Sequence, residues 1–202
     1  MKSTRTQKNT PFLSDVQTLR ERARHQMELG AAAVGTDLER ARILEILNQA
    51  LATELVCILR YKNHYFCAAG IESPSIAEEF LSHAEQEEDH ADRIAERIIQ
   101  LGGRPDFNPS GLLLRSHTEF GSEFSDSVSL RSMIEEDLLA EKIAIEGYRE
   151  IIQFLNASPG SQMDPTTRAL MESLLADEER HASDLARLLS RFESRSIAAS
   201  AA

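Results

Sequence analysis

Hydrophobic residues recur at spacings of three and four along most of the chain, the pattern typical of amphipathic α-helices. This pattern predicts a short helix near residues 14–29 and four long helices at 37–69, 74–101, 128–156 and 165–192. The 9 glycines and 6 prolines fall mainly between these stretches, and no β-type alternation of useful length is found. The sequence therefore predicts an all-α fold.

The lengths of the connections predict how the long helices are arranged. Short turns join the first to the second and the third to the fourth, so each pair is expected to be antiparallel. The second and third are joined by roughly 25 residues, far more than a usual connection, with a small helix expected around Leu112 to Phe120. We therefore expect a four-helix bundle with one long crossover. Its regions are 1–35 (a basic tail and an extra N-terminal helix), 36–193 (the bundle) and 194–202 (a flexible C-terminal tail).

The apolar seam of each long helix is interrupted by ionisable residues near its middle. One glutamate lies in the first and third helices, and a Glu-x-x-His pair lies in the second and fourth. These residues are Glu54, then Glu87 with His90, then Glu141, then Glu178 with His181. A solvated charged face would not have leucine and isoleucine three and four positions away on both sides, so we expect all six to lie inside the bundle.

Four carboxylates in one apolar interior repel one another, and each loses several kcal/mol of hydration. Two ferrous ions would supply a charge of +4 against the −4 of the glutamates, and the two imidazoles would complete their ligand shells. The Glu-x-x-His spacing places both side chains on one helical face. This is the known arrangement of di-iron carboxylate bundles.

Over roughly residues 40–190 the chain resembles bacterioferritin. The resemblance rests on four segments: ATELVCILRYKNHY (52–65), EEDHADRIAERIIQLGGRP (87–105), DLLAEKIAIEGYREII (137–152) and DEERHASDLARLL (177–189). It implies a ferritin-like fold and a di-iron site. In this site Glu54 and His90 are terminal ligands of one iron, and Glu141 and His181 are terminal ligands of the other. Glu87 and Glu178 bridge the two irons, Tyr61 lines the site, and His64 lies near it.

Several departures from bacterioferritin make the chain more similar to the dodecameric Dps-like proteins. Glu88 stands where bacterioferritin has its haem-ligating methionine, so we expect no haem. The C-terminal end is not an apolar helix, the crossover is longer, and a basic segment precedes the bundle. A shell of 12 subunits is therefore favoured over one of 24.

The resemblance implies iron storage and detoxification. We expect a ferroxidase that oxidises Fe(II) with H2O2 or O2 at two iron ions per subunit and stores Fe(III) mineral in a hollow homo-oligomer, which limits oxidative damage. One alternative is a di-iron oxygenase or oxidase that acts on an organic substrate. Another is a shell whose main role is to bind and protect DNA.

Composition and charge limit the other possibilities. Hydrophobic residues make up 42% of the chain, and no stretch is apolar enough for a membrane span. The net charge of −11 argues against nucleic acid over the whole surface and favours cations. Residues 1–26 nevertheless hold six basic and two acidic residues, net +4, which fits either DNA binding or a solubilising terminus. Two cysteines, no CxxC and no secretory signal pattern predict a cytoplasmic protein.

Smaller features have less specific interpretations. His83 is either a polar seam residue or, with Glu85, a transit ligand for a third iron. His117 is interpreted as a structural hydrogen-bonding residue, with a pore or metal role as the alternative. Cys57 and Cys67 are predicted to be small core residues.

Overall fold

The computed structural model describes residues 15–29, 36–70, 74–121, 129–157 and 164–200. The chain divides into two compact units, Met1–Ala33 and Val34–Ala202. In the first unit the described residues form helix α1 (Val16–Leu29). Asp15 caps this helix, because its carboxylate accepts hydrogen bonds from the backbone N–H groups of Gln17 and Thr18 at 2.9 and 3.0 Å.

The second unit contains five helices within its described residues, and the predicted all-α fold is confirmed. They are α2 (Asp37–Gly70), α3 (Pro74–Gln100), α4 (Leu112–Arg115), α5 (Leu130–Ala157) and α6 (Pro165–Ser200). The short helix predicted in the crossover is α4, which begins after Gly111 with a left-handed φ of 82°. Within the described ranges, none of the helices is both long and apolar enough to cross a membrane.

The four long helices pack as two pairs, α2 with α3 and α5 with α6, and contacts of α2 with α5 and of α3 with α6 complete the bundle. The predicted seams form its interior. Leu47, Leu51, Phe80, Ile134 and Leu174 are fully buried. Apolar burial of this kind is the main favourable term in folding and holds the central side chains in place.

The crossover is held along α2 by three polar side chains. The side-chain oxygen of Asn48 accepts a hydrogen bond from the backbone N–H of Asp106 at 2.8 Å, and the hydroxyl of Thr53 accepts one from that of His117 at 3.0 Å. The guanidinium of Arg60 donates to the carbonyl of Glu119 at 2.9 Å. These bonds satisfy backbone N–H and C=O groups of a segment that has few regular hydrogen bonds of its own.

The start of α6 is fixed by a buried ion pair with α3. Asp164 caps α6 through the backbone N–H of Thr167 at 2.9 Å. The Nη2 of Arg97 donates to both carboxylate oxygens of Asp164, at 2.8 and 2.9 Å. At its other end α6 runs to Ser200, so helical backbone continues through most of the segment that the sequence assigns to a tail (194–202). That segment contains no glycine or proline to end the helix.

Candidate metal centre

The six ionisable residues predicted as ligands meet in the middle of the bundle. Each of the four long helices contributes, and every one of the six side chains belongs to a residue no more than 2% exposed: Glu54, Glu87, His90, Glu141, Glu178 and His181. Their ligand atoms form two groups, and within each group one atom from every residue lies within 4.8 Å of the others. We call the two groups together the central cluster.

The first group is built around His90 and combines α2, α3 and α6. The Nδ1 of His90 lies 3.0 Å from Oε2 of Glu87 and 3.0 Å from Oε1 of Glu178. Oε2 of Glu54 lies 3.6 Å from the same nitrogen. Three carboxylate oxygens and one imidazole nitrogen therefore converge on one position.

The second group is built around His181 and includes Glu141 from α5. The Nδ1 of His181 lies 3.1 Å from Oε1 of Glu87, 3.4 Å from Oε2 of Glu178 and 3.7 Å from Oε1 of Glu141. Glu87 and Glu178 thus present one oxygen to each histidine. This is the geometry of two bridging carboxylates between two positions.

Buried carboxylate oxygens in this cluster lack hydrogen-bond partners. Oε2 of Glu54 and both oxygens of Glu178 are inaccessible to solvent and accept no hydrogen bond from any described residue. Buried polar atoms are rarely left in this condition in native proteins, and a bound ion is one explanation. The donor set of carboxylate oxygens and imidazoles fits iron and related divalent metals.

Two tyrosines form hydrogen bonds with Glu141 and Glu54, and each of these bonds crosses the bundle between α2 and α5. The hydroxyl of Tyr61 donates a hydrogen bond to Oε1 of Glu141, and that of Tyr148 donates one to Oε1 of Glu54. The resemblance predicts Tyr61 at the site, whereas Tyr148 has no role assigned from the sequence. The signal for Tyr148 was present, since it follows Glu141 by seven residues, as Tyr61 follows Glu54.

The outward ring nitrogens of the two histidines also have partners. The Nε2 of His181 donates to Oε1 of Gln86 at 3.2 Å, and that of His90 lies 3.5 Å from a carboxylate oxygen of Asp177. A partner on the outer nitrogen fixes the orientation of the ring and leaves Nδ1 free to bind a metal.

Burial and mutual charge place protons in the cluster before a cation binds. Burial, with the negative charges of Glu141 and Glu54, raises the pKa of Glu87 to about 8. Burial and the charge of Glu178 likewise raise the pKa of Glu141 to about 8. Burial lowers the pKa of His181, but the surrounding carboxylates of Glu141, Glu178 and Glu87 outweigh this effect and raise the pKa to about 12.

The pKa values of His90 and Glu54 are also shifted by burial and by their neighbours in the cluster. Burial lowers the pKa of His90, but the nearby carboxylates of Glu178, Glu54 and Glu87 outweigh this effect and raise the pKa above its ordinary value. For Glu54, burial raises the pKa, but the effects of the neighbouring His90, Glu87 and Tyr148 together outweigh it and lower the pKa below its ordinary value. Near neutral pH, cation binding must therefore compete with protons.

A second buried network lies one turn before Glu141 on α5. Asp137 is fully buried, and one of its carboxylate oxygens lies 2.8 Å from Nδ1 of His64. Its other oxygen lies 3.5 Å from Nε of Arg60. His64 thus lies beside this network and belongs to none of the potential metal groups of the described residues.

The other predicted residues lie outside the central cluster. Glu88 is exposed, with Nζ of Lys62 3.8 Å from its carboxylate. His117 is exposed and borders a narrow gap beside Glu54 and Tyr148. Both cysteines are free. Cys57 is buried in the core and Cys67 packs against it partly buried, as predicted.

His83 is buried, but its predicted partner is wrong. Glu85 is exposed and forms no potential metal group with His83 within the described part of the chain. Positions i and i+2 of a helix point to different faces, which explains the difference. His83 instead shares a group with Glu79 and Asp184.

Comparison with known proteins agrees with this architecture. Residues 44–194 match the ferritin-like domain family. A nutrient stress-induced DNA-binding protein of Synechococcus sp. is 34% identical over 149 residues, which are 74% of this chain and 81% of the relative. A bacterioferritin of Desulfovibrio desulfuricans is 27% identical over 142 residues, 70% of this chain and 71% of the relative.

A solved structure is similar at the level of the whole bundle. It is the bacterioferritin-related protein of Bacteroides fragilis, described as a dodecameric thioferritin, with 28% sequence identity and a TM-score of 0.70. The match covers 79% of this chain and 90% of that protein. The long family match and the similarity of the fold together show that the chain belongs to the ferritin-like family.

Proposed function

We propose that this protein is a ferroxidase that oxidises Fe(II) at a dinuclear centre inside each subunit and stores Fe(III) mineral in a hollow homo-oligomeric shell. The family and its bacterioferritin members support a role in iron storage. The single observation that carries the proposal is that Glu87 and Glu178 each present one oxygen to either histidine. Two cations bound there would share both carboxylates.

The proposed reaction uses Fe(II) as substrate and balances with either oxidant. Two Fe(II), one H2O2 and two protons give two Fe(III) and two H2O. Two Fe(II), one O2 and two protons give two Fe(III) and one H2O2. Because both irons lose their electrons together, the single-electron reduction of peroxide that releases hydroxyl radical is avoided.

The residues of the chain bind the substrate ions and position them. The four glutamates supply the negative charge, and Tyr61 and Tyr148 restrain the two terminal carboxylates through hydrogen bonds. Burial of the cluster excludes bulk water and strengthens every charge interaction within it. Protons held by Glu87 and Glu141 leave when the ions bind.

The test replaces both bridging residues, as Glu87→Ala with Glu178→Ala, in the full-length protein. We expect the initial rate of Fe(II) oxidation to fall by about 100-fold or more, while the shell still assembles. Glu88→Ala is the matched control, because Glu88 is the exposed neighbour of Glu87 on the same helix, and it should keep the normal rate. Oxidation at the normal rate by the double variant would refute the assignment.

We propose a shell of 12 subunits without haem. The dodecameric state of the Bacteroides fragilis protein supports the number, and a glutamate at position 88, where bacterioferritin has a thioether ligand, supports the absence of haem. Twelve copies of the 22.6 kDa chain give a mass of about 270 kDa, and twenty-four give about 540 kDa. Native mass spectrometry separates these values and detects haem.

DNA binding is a second proposed function. The relative from Synechococcus sp. is named as a DNA-binding protein, and residues 1–26 of this chain carry a net charge of +4. Residues 1–14 lie outside the described part of the chain. Twelve such segments on one shell would bind phosphates by avidity. A gel shift at low and moderate salt, with and without residues 1–26, tests the proposal.

A further inference from the structure

A buried carboxylate that the proposed reaction does not use lies one turn before Glu141 on α5. Asp137 is fully buried, and its Oδ2 lies 2.8 Å from Nδ1 of His64 on α2. Its other oxygen, Oδ1, forms no hydrogen bond with any described residue. Positions four apart on a helix share a face, so Asp137 lies on the same side of α5 as Glu141.

His64 connects Asp137 to the surface of the protein. The residue is 4% exposed, and its Nε2 lies 3.6 Å from Oε2 of Glu136. The side chain of Glu136 is 44% exposed, so its carboxylate exchanges protons with solvent, and a small rotation brings it within hydrogen-bond distance of the ring. Glu136, His64 and Asp137 therefore form a series of titratable groups that leads from solvent to the interior.

The inner end of this series has two polar atoms without partners. Nε of Arg60 lies 3.5 Å from Oδ1 of Asp137, and neither atom forms a hydrogen bond with a described residue. Other nitrogens of Arg60 donate to the hydroxyl of Thr118 and to the carbonyl of Glu119, which holds the guanidinium in place. Buried polar atoms of this kind commonly bind an internal water molecule. Such a water would extend the series beyond Asp137.

The proposed reaction needs protons at a site that is closed to solvent. Either oxidant takes up two protons for each pair of Fe(II) ions, while the six residues of the central cluster are no more than 2% exposed. Burial raises the pKa of Asp137 to about 6, and the charge of Glu141 acts in the same direction, whereas His64 and Arg60 oppose the rise. A carboxyl group with this pKa both accepts and donates protons near neutral pH.

We propose that Glu136, His64 and Asp137 form a proton relay that supplies the dinuclear centre from solvent. The inference rests on the proposed function, since that reaction sets the demand for protons. Asp137 acts through a bound water, and we therefore regard it as a positioning residue for the proton and not as a ligand or a catalytic residue.

Each transfer along the relay moves one proton. The carboxyl group of Glu136 gives a proton to Nε2 of His64, and the resulting imidazolium gives its Nδ1 proton to Asp137. Asp137 then donates through the internal water to the oxygen atom of the oxidant that Fe(II) is reducing, and returns to the carboxylate. Glu136 regains a proton from solvent, and rotation of the imidazole ring restores its starting arrangement. Two such passages supply the two protons of one reaction.

The test is Asp137→Asn in the assembled full-length protein. Asparagine keeps the size of the side chain and a hydrogen bond with His64, but it is not an acid near neutral pH. We expect the initial rate of Fe(II) oxidation at pH 7 to fall about tenfold, with the number and affinity of Co(II) ions bound without oxygen unchanged. Glu135→Gln is the matched control, because Glu135 is an exposed glutamate on the same helix, and it should keep the normal rate.

A second variant and an isotope measurement distinguish a relay from a purely structural role. His64→Gln interrupts the relay one step earlier and should slow oxidation to the same extent, and the double variant should be no slower than either single variant. The ratio of the rates in H2O and D2O should be larger in each variant than in the wild type, because proton delivery has become the slow step. A crystal structure of the wild type should show a water molecule within hydrogen-bond distance of Oδ1 of Asp137.

The outcomes separate this inference from the proposed function. Normal oxidation rates in Asp137→Asn and His64→Gln would overturn the relay and leave the dinuclear centre intact. Weaker Co(II) binding in both variants, with an unchanged isotope effect, would show that the network only supports the structure and would also overturn the relay. A wild type that binds Co(II) but oxidises no Fe(II) would overturn the proposed function itself, together with the demand for protons that the relay serves.

Discussion

Binding of two divalent cations at the central cluster should release about four protons per subunit near pH 6.5. Two of these come from the imidazolium groups of His90 and His181, whose pKa values lie well above neutrality. The other two come from Glu87 and Glu141, whose pKa values are about 8. Metal ligands bind in their deprotonated forms, so all four protons must leave.

The number of released protons should depend on pH in a specific way. At pH 8 the carboxyl groups of Glu87 and Glu141 are each about half ionised, because their pKa values are about 8. The release should therefore fall from about four protons to about three. The two imidazolium protons are still released at pH 8, but the two carboxyl groups together supply only about one. Each proton strengthens cation binding by about 1.4 kcal/mol per pH unit. Near pH 6.5 the summed affinity of the two ions should thus rise by about 5 kcal/mol per pH unit.

Proton release can be measured with an indicator dye in weakly buffered solution during an anaerobic Co(II) titration. Glu87→Ala with Glu178→Ala provides the baseline, because that variant lacks both proposed bridging residues and should release almost no protons. Fewer than two protons per subunit at pH 6.5, with two Co(II) bound, would refute the proposed protonation of the cluster. A release that does not change between pH 6.5 and pH 8 would refute the raised carboxyl pKa values.

Three further substitutions have defined outcomes. Tyr148→Phe removes the hydrogen bond to Glu54 and should weaken Co(II) binding about tenfold, measured by calorimetry, with unchanged helicity. Arg97→Leu leaves the buried carboxylate of Asp164 without its partner and should lower the free energy of unfolding by about 3 kcal/mol, measured in urea, without loss of Co(II) stoichiometry. Glu88→Met creates the residue type of a haem ligand, and haem uptake on reconstitution, monitored by absorption, would show that Glu88 is what excludes it.

Much of the bundle could be predicted because its determinants are local in the sequence. Apolar spacing defines the helices, and the lengths of the connections define which helices pair. The crossover shows where this reasoning ends. Its path depends on Asn48, Thr53 and Arg60 of α2, whose bonds reach residues more than 50 positions away. No periodicity in the sequence encodes such bonds.

The candidate site shows the same division between local and long-range information. The spacing of residues within a helix shows which of them share a face. The sequence alone could therefore assign the six residues of the central cluster to the apolar seams of their four helices. Pairing across the bundle could not be read in the same way. Tyr61 bonds to Glu141 rather than to Glu54 of its own helix, and Asp184 joins His83 from another helix. These contacts depend on the rotation of each helix about its axis.

The electrostatics of the cluster also change one argument made from the sequence. Four buried carboxylates were expected to coexist only if cations join them. The structure provides a second solution, in which protons on Glu87, Glu141 and the two histidines balance the charge before any cation binds. Because burial disfavours net charge, exchanging about four protons for two divalent ions keeps the charge of the cluster nearly constant. The bundle can therefore fold before it is loaded, and loading requires little change in its charge.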